Sequence, residues 1–211
     1  MKKLLVVSLG GSRRMKAYAV YDGDMLTVAK AEPISGMFMS WKPRLIDDLK
    51  KAAADGFDIL IEDRTQTFQE YGFCLGFDEV YAEEGRTFLN VALDHYTSLT
   101  NMGEKKGSQR GRIILAGSLQ SSWFSDETLD VEQDEKGRNR YRMDHSAFSS
   151  EQRCILLSIL AGPVMHQMSD RYIGEFMDAI GIRSEPAIPP SLYAITIGVD
   201  QQLAKRLNGE G

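Results

Sequence analysis

Asp22-Gly23-Asp24 stands between two strand-like runs, Ala17 to Tyr21 and Met25 to Ala31, and dictates a hairpin, because a tight turn needs the positive φ that Gly adopts freely. A further apolar run, Leu4 to Leu9, precedes them and stops at Gly10-Gly11-Ser12. Three strand-like runs joined by short turns make an antiparallel meander. After Pro33 and Gly36 the period changes: Leu45, Ile46, Leu49, Ala52 and Ala53 recur at helical spacing, with Asp47, Asp48, Lys50 and Lys51 on the polar side. Gly56 closes this helix. The run Phe57 to Ile61 then ends at Glu62-Asp63-Arg64, the pattern of a central buried strand. A helix leading into a strand predicts a crossover that sets the fourth strand parallel to the first.

The remainder is less regular. From Phe68 to about Met102 the pattern predicts helix, with Tyr81, Phe88, Leu89, Ala92, Leu93 and Tyr96 inward. Residues 103–111 form a basic loop, and Ile113 to Ala116 a fifth strand. Residues 121–142 are strongly polar, either a mobile loop or a β-hairpin turning at Lys136-Gly137. Ser149 and Ser150 before Glu151 and Gln152 mark a helix start, and the apolar helix runs through Leu160 to a break or kink at Gly162-Pro163. A helix from Ser169 to Ile180 and an edge strand or tail from Leu192 to Val199 complete the expectation. With 211 residues the chain can bury a substantial core without staples, and one mixed α/β domain, 1–211, is expected.

Cys74 and Cys154 stand outside any CxxC or Cys/His spacing, which predicts buried, inert thiols in a reducing compartment. The apolar run after the basic start MKKLL is too short for a signal-peptide core, and no stretch approaches the roughly 20 apolar residues of a membrane span. A cytoplasmic, intracellular protein is expected. The net charge of −5 argues against a general DNA packaging protein. Basic residues nevertheless cluster, as Lys105, Lys106, Arg110 and Arg112 and as Lys136, Arg138, Arg140 and Arg142, and make either phosphate-binding patches or solvated loops.

The order strand, strand, strand, helix, strand, with an acid directly after the fourth apolar run, resembles the opening of the RNase H-like superfamily, which includes Holliday-junction resolvases and viral terminase nuclease domains. The resemblance covers roughly residues 3 to 68. It implies a mixed sheet with strands 1–3 antiparallel and strand 4 parallel to strand 1, and an acid from strand 1, one from strand 4 and one from a late helix. Such acids hold two divalent ions that activate water and stabilise the leaving oxygen. The resemblance therefore implies a nuclease that cuts DNA with Mg²⁺ or Mn²⁺, of viral origin. Glu62 is the best match, with Asp63 pointing the other way if the strand continues; Asp144 and Glu151 are candidates for the late acid. The first strand departs from the pattern, because Ser8 or Leu9 stands where the family carries Asp, and a serine is a weak ligand for a hard cation. Asp22 and Asp24 would lie at the opposite end of the sheet. The alternative is a non-catalytic RNase H-like module binding a protein or nucleic-acid partner.

Phosphate contacts are expected from Arg13, Arg14, Lys105, Lys106, Arg110, Arg138 and Arg140. The Gly10-Gly11-Ser12-Arg13-Arg14 loop also resembles the first phosphate loop of sugar kinases and actin-like ATPases, although the two-domain frame and second phosphate loop of those proteins are missing; the plainer reading is a strand-to-strand turn. His95, His145 and His166 lack metal-ligand spacing, and His145 adjoins Asp144, where it would act as a ligand or proton shuttle.

Overall fold

The computed structural model describes residues 1–36, 40–81, 85–101, 112–124, 129–142 and 145–165. Strands β1 (Lys2–Ser8), β2 (Met15–Asp22) and β3 (Met25–Pro33) form the expected meander, and Gly23 takes a φ of 57° at its turn. Helix α1 (Trp41–Ala54) then crosses to β4 (Phe57–Glu62), which lies parallel to β1. Gly56 follows the helix at φ 76° and donates to the Ala53 carbonyl, the left-handed stop that a Cβ would disfavour.

The chain next turns into β5 (Phe73–Leu75), parallel to β4, and a short hairpin of β6 (Val80–Tyr81) and β7 (Arg86–Thr87). Helix begins only at α2 (Phe88–Asn101), so the helix predicted from Phe68 is corrected over its first half. Of the predicted inward positions, Phe88, Leu89, Ala92, Leu93 and Tyr96 are buried as their spacing predicts, whereas Tyr81 falls in β6 and not in a helix. Strand β8 (Ile113–Leu115) is the expected fifth run, but it joins the far edge, parallel to β3. One six-stranded mixed sheet results, in the order β5-β4-β1-β2-β3-β8. Its first four strands have the expected directions, β1 to β3 antiparallel and β4 parallel to β1.

The polar stretch 121–142 resolves in its second half into a hairpin of β9 (Val131–Gln133) and β10 (Asn139–Tyr141), turning at Gly137 with φ 72°. It is tied to α2 by polar contacts: Asn90 accepts from the Tyr141 amide at 2.6 Å, and the Asn139 side-chain amide donates to Asp94 at 3.3 Å. Helix α3 (Ser150–Ile159) continues into a wide π turn, Leu160–Val164. Pro163 lies inside that turn and has no N–H for a regular helical bond, so the kink predicted at Gly162-Pro163 takes the form of a widened turn. The predicted basic loop 103–111, the helix from Ser169 and the run from Leu192 lie outside the described residues. Among those that are described, no helix is long and apolar enough to cross a membrane.

Side-chain alternation divides the core between the two faces of the sheet. Leu4, Val6, Ala17, Ala19, Leu26, Val28 and Leu60 pack with α2 and α3, while Leu5, Val7 and Ile61 pack with Trp41, Leu45 and Leu49 of α1. Covered on both faces, β1 has no reason to alternate, which explains its unbroken apolar run. On the α1 face Lys16 bridges Asp48 at 2.6 Å and Glu32 at 3.1 Å, and these acids hold its amine above the ordinary lysine value against the opposing effect of burial.

Candidate functional site

The parallel pairing of β1 with β4 sets Ser8 opposite Glu62 in register, each at the last position of its strand. Both are even-numbered like Leu4, Val6 and Leu60, so both side chains face α3. There the Ser8 hydroxyl donates to Glu62 Oε2 at 2.6 Å. Arg153, one turn into α3, closes the arrangement: its Nε donates to Oε2 at 3.1 Å and its Nη2 donates to Oε1. The guanidinium fork thus holds both oxygens of the carboxylate, the geometry that makes such pairs strong. The Phe77 ring lies 5.4 Å from the guanidinium carbon. Arg153 is 2% exposed and Glu62 8%, so the pair is withdrawn from solvent.

The loop after β1 is shaped around this pair. A Cβ on Gly10 would stand 2.2 Å from Arg153 Nη2 and 2.6 Å from Glu62 Oε1, distances no side chain tolerates. Gly11 adopts φ 84°, and a Cβ there would meet Ser150 Oγ at 3.0 Å. The Ser150 hydroxyl donates to the Arg13 carbonyl at 2.7 Å and accepts from the Arg13 amide at 3.2 Å. The glycine pair is therefore a strand-to-strand turn seated on α3, with the Arg13 amide engaged by Ser150.

The other candidate residues are dispersed. Asp63 turns away from Glu62 and organises the turn that follows β4, where Oδ1 accepts from the Thr65 amide at 3.1 Å and hydroxyl at 2.6 Å, and Oδ2 from the Phe68 amide at 3.0 Å. Glu151 sits in the first turn of α3, behind a capping box in which Ser149 accepts from the Gln152 amide and the Gln152 side chain accepts from the Ser149 amide. A carboxylate there favours the helix dipole. Asp22 and Asp24 lie at the opposite end of the sheet, paired with the N-terminal amine and Arg112. Asp144, Lys105, Lys106, Arg110 and His166 lie outside the described residues, and His145 falls in a short turn whose side chain is not described.

Of the basic candidates, Arg138 is held by Asp134 at 2.9 Å, and Arg140 is exposed on β10. Arg13 and Arg14 are exposed at the strand-tip end. The Arg14 guanidinium lies 4.3 Å from the Trp41 ring centre, and Lys42 Nζ lies 5.8 Å from the same ring. Burial pushes the Cys74 thiol up to about 12 and raises that of Cys154 further, so both cysteines are inert at neutral pH.

A two-metal centre fits these residues poorly. It would need Glu62 oxygens that the guanidinium already holds, and an acid at position 8 where a neutral hydroxyl stands. Among the described residues no three carboxylate, imidazole or thiol groups converge in a way that would hold a metal ion. Arg153 is the residue of this buried cluster that was missed from the sequence. Its signal was an arginine at the head of the run CILLSILAG, where a buried charge demands a partner.

No family model matches the chain, and no curated protein matches it. Among solved structures it is similar to the large terminase nuclease from thermophilic phage G20c, at 9% identity and a TM-score of 0.42, over 76% of this chain and 82% of that one.

Proposed function

We propose that this chain is a non-catalytic RNase H-like module that holds nucleic acid by its phosphates and does not cut it. The observation that supports this reading is the double hydrogen bond from Arg153 to Glu62. Metal-dependent hydrolysis requires that carboxylate to be free for a cation, and an internal guanidinium holds it inside a closed, glycine-floored site. Binding rests on the exposed cations at the same end of the sheet, Arg13 and Arg14, with Lys42 sharing the Trp41 ring with Arg14. Arg140, exposed on β10, is a further cation open to phosphate. Because the chain carries a net charge of −5, attraction is local and falls steeply with salt.

The test combines fluorescence anisotropy on labelled single-stranded, duplex and branched DNA with incubation of the same substrates in Mg²⁺ or Mn²⁺. The expected result is intact DNA in either metal and salt-sensitive binding. The double substitution Arg13→Ala, Arg14→Ala should weaken binding about 10-fold at low salt and reduce the slope of log affinity against log salt by about 2. Cleavage abolished by Glu62→Gln would overturn the non-catalytic reading. Failure to bind any of the three DNAs at low salt would overturn nucleic acid as the partner and leave a protein in its place.

A further inference from the structure

We infer that Arg153 is a resident cation, filling with a side chain the place between the tips of β1 and β4 that a divalent ion would otherwise take. Three independent features of the site agree. The first is charge balance: with Ser8 neutral, Glu62 contributes one negative charge, and one guanidinium cancels it. An aspartate at position 8 beside Arg153 would leave a net buried negative charge, and a dication beside Ser8 and Glu62 alone a net positive one, so serine and arginine are matched choices. The second is geometry, since the planar fork meets both oxygens of Glu62 as a metal bound through both would. The third is the loop, because Gly10 leaves room for the guanidinium where any Cβ would collide with it. The backbone is thus fitted to an arginine at this point.

Two substitutions should convert the site. Ser8→Asp supplies the second carboxylate in register with Glu62, and Arg153→Ala removes the internal cation and opens space for metal and water. This inference concerns what fills the site. DNA binding or cleavage by the unaltered chain tests the proposed function separately.

The experiment is a thermal-shift and far-UV circular dichroism titration with Mn²⁺ on three proteins: the unaltered chain, the double variant Ser8→Asp, Arg153→Ala, and the same variant with Glu62→Gln added. Ligand that binds only the folded form raises the melting temperature by mass action. Millimolar Mn²⁺ should raise that of the double variant by about 5 °C, reversibly with a chelator, and leave the unaltered chain and triple variant unshifted. If the double variant is unfolded in chelator, its dichroism should recover on adding Mn²⁺ while that of the triple variant does not. The inference is overturned if Mn²⁺ shifts the unaltered chain as much as the double variant. It is equally overturned if the double variant, folded or unfolded in chelator, shows no response to the metal.

Discussion

Taking away one member of a buried ion pair strands the other charge in an apolar surround, which costs about 3–5 kcal/mol. Arg153→Ala alone is therefore strongly destabilising, but that loss would not distinguish this site from any other buried pair. Gly10 is the sharper probe, because a Cβ there would collide with the guanidinium and the carboxylate. Gly10→Ala should destabilise by about 1–3 kcal/mol in urea unfolding, as overpacking of a rigid site does. The same substitution in an Arg153→Ala background should cost at least about 1 kcal/mol less, since its nearest contact, the guanidinium, is gone and the Glu62 carboxylate is freed to shift. Equal costs in both backgrounds would show that the loop does not rest on the arginine. The place of Glu62 at the tip of β4 was legible from the sequence because it directly ends an unbroken apolar run. Arg153 was not, because its importance comes from burial on a helix covered nearly all round, and periodicity says nothing about which polar residue of such a helix turns inward.

At the scale of elements, α3 delivers Arg153 to the sheet, and the capping box fixes where that helix begins. Ser149→Ala leaves the Gln152 amide without its partner and should cost about 1 kcal/mol, read as a fall of about 2–4 °C in melting temperature. Glu151→Gln, which removes only a favourable charge near the helix start, should cost less than about 0.5 kcal/mol. A larger loss at Glu151 than at Ser149 would mean that Glu151 has a structural partner beyond the dipole. The helix start was legible because capping chemistry is local, and the same holds for the β2–β3 hairpin, α1 and β4, whose turns and periods lie within a few residues. Strand β5 was hidden for the opposite reason. Its three residues, Phe73-Cys74-Leu75, owe their conformation to pairing with β4 and sit amid apolar residues that also satisfy a helical spacing. Asp63 supplies the decisive contact there, since its three accepted hydrogen bonds bend the chain between β4 and β5.

For the whole molecule, the balance of charges predicts a stability profile with two opposed limbs. Glu32 and Asp134 are held below the ordinary carboxylate value, Glu32 chiefly by the hydrogen bond from Lys30 and Asp134 chiefly by that from the Arg138 amide. Their stabilisation is present above the ordinary value and disappears as pH falls through the folded one. Asp58 behaves in the reverse sense. It lies at the start of β4 in register with Leu4, half-buried on the α3 face, and burial raises its carboxyl to about 7 against a small opposing effect of Lys2. Between about pH 4 and pH 7 the folded chain therefore holds a proton at Asp58 that the unfolded chain has released, so stability falls across that window as pH rises and stays reduced above it. A shift of this size would nominally amount to several kcal/mol, but water reaching the half-buried carboxyl screens it to about 1–2 kcal/mol. Asp58→Asn should thus raise stability by about that amount at pH 8, change little at pH 4, and flatten the neutral limb of the profile. Urea midpoints across pH 4 to 8 on both proteins measure this directly, and parallel profiles would mean that Asp58 is ionised and solvated in the folded state.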